Sequence, residues 1–209
     1  MTHQNFSISN NAYILANYIQ SLDNFSISTE HNYGYDHMGA ILTDAILQAG
    51  LNYRTVVAPR VKRVITNFPE ANVTSIFLNY IHQYGAFHIL QWQHPEKPRR
   101  LDELTTFLYE KGIETRNDLH KWLVVPQNDN MLMKIRGIGL KTVDYLKNLI
   151  NLPTVAIDRH VRGFVHNAGI SSVDYAELRS IVISAATILD ITPTILDYAI
   201  WSFMSEKMH

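Results

Sequence analysis

The sequence predicts an all-α protein, on three observations. Apolar residues recur three and four apart in stretch after stretch, which gathers them on one face of a helix. No run alternates apolar and polar residues convincingly enough to suggest a strand. Glycine or proline stands between the apolar stripes, where helices stop.

Taken in order, Met38, Ile41, Leu42, Ala45, Ile46 and Ala49 form the first strong stripe, with Gly50 as its stop. Tyr53, Val56, Val57, Val61, Val64, Ile65 and Phe68 form a second, ending before Pro69. Val73, Ile76, Phe77, Tyr80, Ile81 and Tyr84 form a third, closed by Gly85. Shorter helices are expected over 86–92, 101–111 and 117–124, the middle one ending at Gly112. The stretch Gln93–Arg100, with Pro95 and Pro98, reads as a loop. Helix is expected again over 128–135 and 140–151, with Lys147 and Asn148 on the wet side of the latter. Asp174 and Glu177 suit a capping box for a helix over 175–189. Thr192 and Pro193 then offer an N-cap and a first-turn proline for a helix to about Glu206. The pentapeptide NFSIS occurs at 5–9 and 24–28, too short a repeat to define architecture.

A chain of 209 residues can bury a substantial core as one domain or two interleaved halves. It contains no cysteine, which excludes disulfides, thiolate metal sites, cysteine-ligated iron–sulfur clusters and cysteine nucleophiles. Its ten histidines are scattered without metal-ligand spacing, so no metal or other cofactor is expected. The polar start MTHQNFSISNN lacks the features of a signal peptide. No stretch approaches about 18 uninterrupted apolar residues, so no membrane span is expected and a cytoplasmic location follows. Net charge is -1, low for a nucleic-acid binder. Its distribution is uneven, however. Lys134, Arg136, Lys141, Lys147, Arg159 and Arg162 face only Asp144 and Asp158 over 134–162. Two further basic groups are Arg54, Arg60, Lys62 and Arg63, and Lys97, Arg99 and Arg100. Each alone reads as a solvated face.

The stretch Lys134–Leu146, KIRGIGLKTVDYL, breaks two helices with Gly137 and Gly139. Glycine permits positive φ and lets another backbone approach closely. The helix that follows points unpaired N–H groups out of the turn, and with its dipole makes a site for an anion such as a DNA phosphate. Gly-x-Gly alone serves any tight helical corner. Its extension to G-I-G-L-K-T, followed by an apolar helix and then VAIDRHVRGF, is more specific.

Here the chain resembles the helix-hairpin-helix DNA glycosylase superfamily, which includes endonuclease III and 8-oxoguanine glycosylase. Ile135–Val143 matches the family's L-P-G-V-G-x-K-T-A hairpin, and Ile157–Val161 its V-D-T-H-V-like segment. The resemblance is strong over 128–168 and looser over 36–204. It implies a two-lobed helical fold. Residues 36–150 would form the lobe carrying the hairpin (128–151), and 1–35 with 151–209 the other. DNA would lie in the groove between them, with Asp158 near their junction. By the same match Lys141 falls on the nucleophile of bifunctional members and Asp158 on the catalytic aspartate. Arg136, Gly137, Gly139 and Thr142 would contact DNA, and Gln48 would fill the gap left by a flipped nucleotide.

The implied reaction is base excision on double-stranded DNA with a damaged or mismatched base, by a nucleoid-associated monomer. A neutral amine displaces the base from C1′ and forms a Schiff base, which then permits β-elimination. Asp158 taken alone reads as an N-cap, and His160 as a packing or hydrogen-bonding residue. Two departures stand out. Arg136 replaces the hairpin proline, and Arg159 the threonine after the aspartate. Two rival readings are a non-catalytic module that uses the hairpin only as a phosphate clamp, and a helical scaffold that binds protein.

Overall fold

The structure, a computed structural model, describes residues 2–28, 34–171 and 174–206. Among these the protein is all-α, with twelve α-helices, one wide helical turn and no strand. They fall into two compact units, one within 1–32 and 153–209 and the other within 33–152.

The second unit holds α2 (Met38–Leu47), α3 (Ala58–Asn67), α4 (Thr74–Tyr84), α5 (Ala86–Leu90), α6 (Glu96–Glu110), α7 (Arg116–Leu123), α8 (Gln127–Leu132) and α9 (Leu140–Leu149). Its centre is α2, buried along its whole length and surrounded by α3, α4, α6 and α9. The N-cap of α2 is His37. Its Nδ1 accepts from the Ala40 amide at 3.0 Å and its Nε2 lies 3.0 Å from the Phe68 carbonyl, which defines the neutral Nε2–H tautomer. A Cβ on Gly39 would come within 2.8 Å of the Phe77 ring, so a residue without a side chain lets α2 and α4 approach.

The other unit holds α1 (Thr2–Gln20), α10 (Arg159–Asn167), α11 (Tyr175–Ile188) and α12 (Pro193–Glu206). Phe164 of α10 is fully buried at its centre, against the rings of Tyr18, Phe25 and Phe203 at 5.4 to 5.7 Å. The Thr192 hydroxyl accepts from the Ile195 amide, and Asp174 from the Glu177 amide, so both helices are N-capped as expected, but Glu177 does not return the bond that would complete a capping box. No single helix among the described residues is long and apolar enough to cross a membrane.

Three local expectations change, one helix is unannounced, and the short repeat proves to be no architectural unit. Nothing in the sequence reading assigns α1, because Asn and Ser dilute its apolar content; its signal is the stripe Ala12, Leu15, Ala16 and Ile19, all buried. The first NFSIS is helical and the second irregular, so identical residues take their conformation from what surrounds them. The stripe over 53–68 is not one helix. Pro59 lacks the N–H that would pair with the Thr55 carbonyl, and the backbone widens over Tyr53–Val57 before α3 begins. The supposed loop Gln93–Arg100 already contains the first turn of α6. Pro98 is tolerated there because first-turn N–H groups have no intrahelical partner. Finally, α8 ends at Leu132 and α9 at Leu149, and Lys147 and Asn148 are buried. Past its first two residues α9 is enclosed within the unit, so its end has no wet side.

Candidate functional site

The turn from α8 to α9 is built on Ile138, whose buried side chain anchors it. Gly137 has φ +87° and takes the left-handed conformation that favours glycine. Gly139 does not: it is extended at φ -119° and serves as the N-cap of α9. Having no side chain, it leaves the first amides of α9 without a capping oxygen. Lys141 follows at the second helical position, half-buried, between exposed Leu140 and buried Thr142.

What holds this turn is the first turn of α6. Arg99 Nη2 and Arg100 Nε each donate to the Arg136 carbonyl at 3.2 Å. The Arg100 guanidinium occupies the space where a Cβ on Gly137 would sit, at 2.0 to 2.5 Å. Glu96 bridges the Arg99 and Arg136 guanidinium groups at 3.3 and 3.8 Å. Lys97 Nζ reaches the other way and donates to the carbonyls of Ile46, Leu47 and Ala49 at 2.9, 3.3 and 3.0 Å. These are the C-terminal carbonyls of α2, where the helix dipole favours a cation. Burial, with the Arg100 and Lys141 charges added, pulls the Lys97 ammonium down to about 8. Gln48 stands at this same helix end, with its Nε2 buried and without a hydrogen-bond partner among the described residues.

Two of the basic groups therefore meet. Lys97, Arg99 and Arg100 join Arg136 and Lys141 at one corner, a juxtaposition with no signal in sequence separation. The group at 54–63 has a different use. Arg60 donates to the carbonyls of Val56, Leu90 and Gln91, and Arg63 to those of His88 and Ile89, so both close off backbone inside the unit.

Behind the corner lies Asp44, a fully buried carboxylate on α2 that sequence reading misses. Tyr145 of α9 donates to its Oδ1 at 3.0 Å, and Tyr35 and Tyr53 to its Oδ2 at 3.1 and 3.3 Å. Burial pushes its carboxyl up to about 6, against the opposing pull of the three hydroxyls. Burial and the same carboxylate push the Tyr35 hydroxyl well above its usual range.

Asp158 belongs to the other unit. Its Oδ1 accepts from the His160 and Val161 amides at 2.8 and 2.9 Å, capping α10. Its Oδ2 makes no hydrogen bond to a described residue. The irregular stretch before it is fastened by side chains. Arg179 donates twice to the Thr154 hydroxyl, and the Ala156 amide donates to Asp197 and the Ile157 amide to the Tyr175 hydroxyl. Such fastening fixes the direction from which α10 starts.

The chain belongs to a family described as a domain of unknown function (DUF8548), whose model matches residues 92–205. Over 84 residues it is 33% identical to an 8-oxoguanine DNA glycosylase/AP lyase of Metallosphaera sedula, across 37% of this chain and 42% of that protein. The match thus spans about two-fifths of that relative's length. No solved structure matches.

Proposed function

We propose that the protein is a DNA-repair glycosylase with AP lyase activity, acting on double-stranded DNA that carries a damaged base. The observation that carries this reading is Lys141 at the open start of α9, among Lys97, Arg100 and Arg136, with partial similarity to a glycosylase/AP lyase beside it. Uncapped amides and clustered cations suit a sugar–phosphate chain, which in this reading would lie against the Lys141 amine.

In this reading the Lys141 nitrogen forms a bond to C1′ as the glycosidic bond breaks, and the departing base takes the electron pair and a proton. Ring opening gives the imine. Loss of a proton from C2′ then expels the 3′ phosphate and cuts the strand. Asp158 would stabilise the positive charge developing on the sugar through its open Oδ2, while Oδ1 keeps capping α10. Arg136, Gly137, Gly139 and Thr142 would hold the backbone, and Gln48 would enter the duplex.

Borohydride reduces an imine to a stable amine, so trapping tests the reading directly. Wild-type protein is expected to cross-link to a duplex with an abasic site or an oxidised base, and Lys141→Gln to lose the cross-link. A wild-type protein that traps on no member of a lesion panel removes the lyase. Salt-dependent duplex binding without base release would then leave the phosphate-clamp alternative.

A further inference from the structure

The first turn of α6 contacts both elements that the proposed function gives to DNA, and no sequence pattern announces it. We propose that this turn is a positioning bracket, with Lys97 at its centre, that keeps the Gln48 end of α2 in register with the turn presenting Lys141. The proposal rests on the glycosylase reading for its substrate, but the bracket itself is a statement about duplex binding.

Its geometry is two-sided. From adjacent positions on one helical turn, Lys97 grips three carbonyls around Gln48, while Arg99 and Arg100 grip the single carbonyl of Arg136. A shift of α6 by one hydrogen-bond length therefore moves both elements together. Neither grip can be lost without leaving a half-buried cation or a helix-end carbonyl unpaired.

The surplus of charge points to an anionic ligand. The helix-end carbonyls of α2 account for one cation, but Lys97 is half-buried beside two others, Arg100 and Lys141. The charged groups around Lys97 are Glu96, Arg99 and Arg100 on α6, with Arg136 and Lys141 on the facing turn and helix. Glu96 is held by Arg99 and Arg136. On α2 the nearest is Asp44, one turn back and enclosed by tyrosine hydroxyls. The corner carries excess positive charge, and a phosphate supplies the missing partner. Gln48 Nε2, buried and unpartnered, is a donor available once that helix end meets a duplex.

The test is a double-mutant cycle on a duplex with one abasic site, using wild type, Lys97→Met, Gln48→Ala and the double variant. Binding is read by fluorescence anisotropy and chemistry by single-turnover borohydride trapping at saturating duplex. Each single variant is expected to weaken binding about tenfold, and the double variant little further, because residues coupled through one stretch of backbone act as one unit. Trapping at saturation is expected to slow by up to about 10²-fold in Lys97→Met, a misplacement effect that tighter occupancy does not repair. A Lys97 effect that is undiminished in the Gln48→Ala background, or absent, overturns the bracket. Where circular dichroism shows Lys97→Met unfolded, Lys97→Arg takes its place in the cycle, since a planar fork cannot converge on the same three carbonyls. If wild type binds but never traps, the lyase reading fails while the binding cycle still decides the bracket. Absence of any duplex affinity overturns both.

Discussion

Lys147 of α9 donates to Asp129 of α8 at 2.6 Å, and this ion pair joins the two helices that flank the glycine turn. The lysine side chain is only 9% exposed and the carboxylate 22%. Removing one partner is therefore asymmetric. Asp129→Ala leaves a buried ammonium without its anion and is expected to lower unfolding free energy by about 3 kcal/mol. Lys147→Met, of similar volume, leaves the more exposed of the two side chains, although Asp129 Oδ1 is itself buried without a hydrogen bond to a described residue, and is expected to lose less than Asp129→Ala. Urea unfolding of both variants reads the difference. Equal losses would show that the pair is not the clamp it resembles.

Asp44 gives a pH dependence with a definite sign. Its carboxyl is pushed up to about 6 in the folded protein, against 3.8 ordinarily, so the folded state holds the proton to higher pH. Its contribution to stability is fully present below about pH 4 and is lost as pH rises through about 6, a change on the order of 3 kcal/mol. The stability of wild type relative to Asp44→Asn should therefore fall across that window and level off above it. Parallel curves for the two proteins from pH 4 to 7 would mean that the tyrosine hydroxyls fully offset burial.

The two glycines of the turn make opposite demands. Gly137→Ala meets both a positive φ and the Arg100 guanidinium, and is expected to cost about 2 kcal/mol in stability, together with most duplex affinity. Gly139 is extended and has open space where a Cβ would stand. Gly139→Ala should fold within about 0.5 kcal/mol of wild type. Weakened duplex binding in that folded variant would show that its missing side chain serves the ligand. Unchanged binding would withdraw Gly139 from the interface.

Capping and chemistry can be separated at Asp158. Asp158→Ala should lose about 1 kcal/mol, since two amides of α10 lose their acceptor. Asp158→Asn keeps an acceptor oxygen for the cap, so its stability is expected within about 0.5 kcal/mol of wild type. Slower base release by a folded Asp158→Asn, with duplex affinity retained, is the expected result. Release at the wild-type rate would reduce Asp158 to a cap.

Much of the fold is legible in the residue pattern. The stripe from Met38 to Ile46 is buried as α2, and the helices predicted to start at Asp174 and Thr192 are N-capped there, because helix periodicity and capping are local properties. The turn at Gly137 is equally local. Misreadings occur where a neighbour overrides local preference. Pro95 and Pro98 suggest a loop, yet a first turn tolerates them; Asn and Ser hide α1, whose apolar stripe is buried beside α11.

By itself the sequence determined that the chain is helical, that a glycine turn precedes Lys141, and that Asp158 starts a helix, since each needs only neighbours a few residues away. Tertiary structure alone decided that Lys97 and Arg100 share a corner with Lys141, that Asp44 is enclosed by Tyr35, Tyr53 and Tyr145, and that Lys147 is buried. The physical reason is range. Periodicity and capping act within a turn or two, whereas the field and burial that a charged group experiences come from segments as much as 101 residues away, the separation of Asp44 and Tyr145.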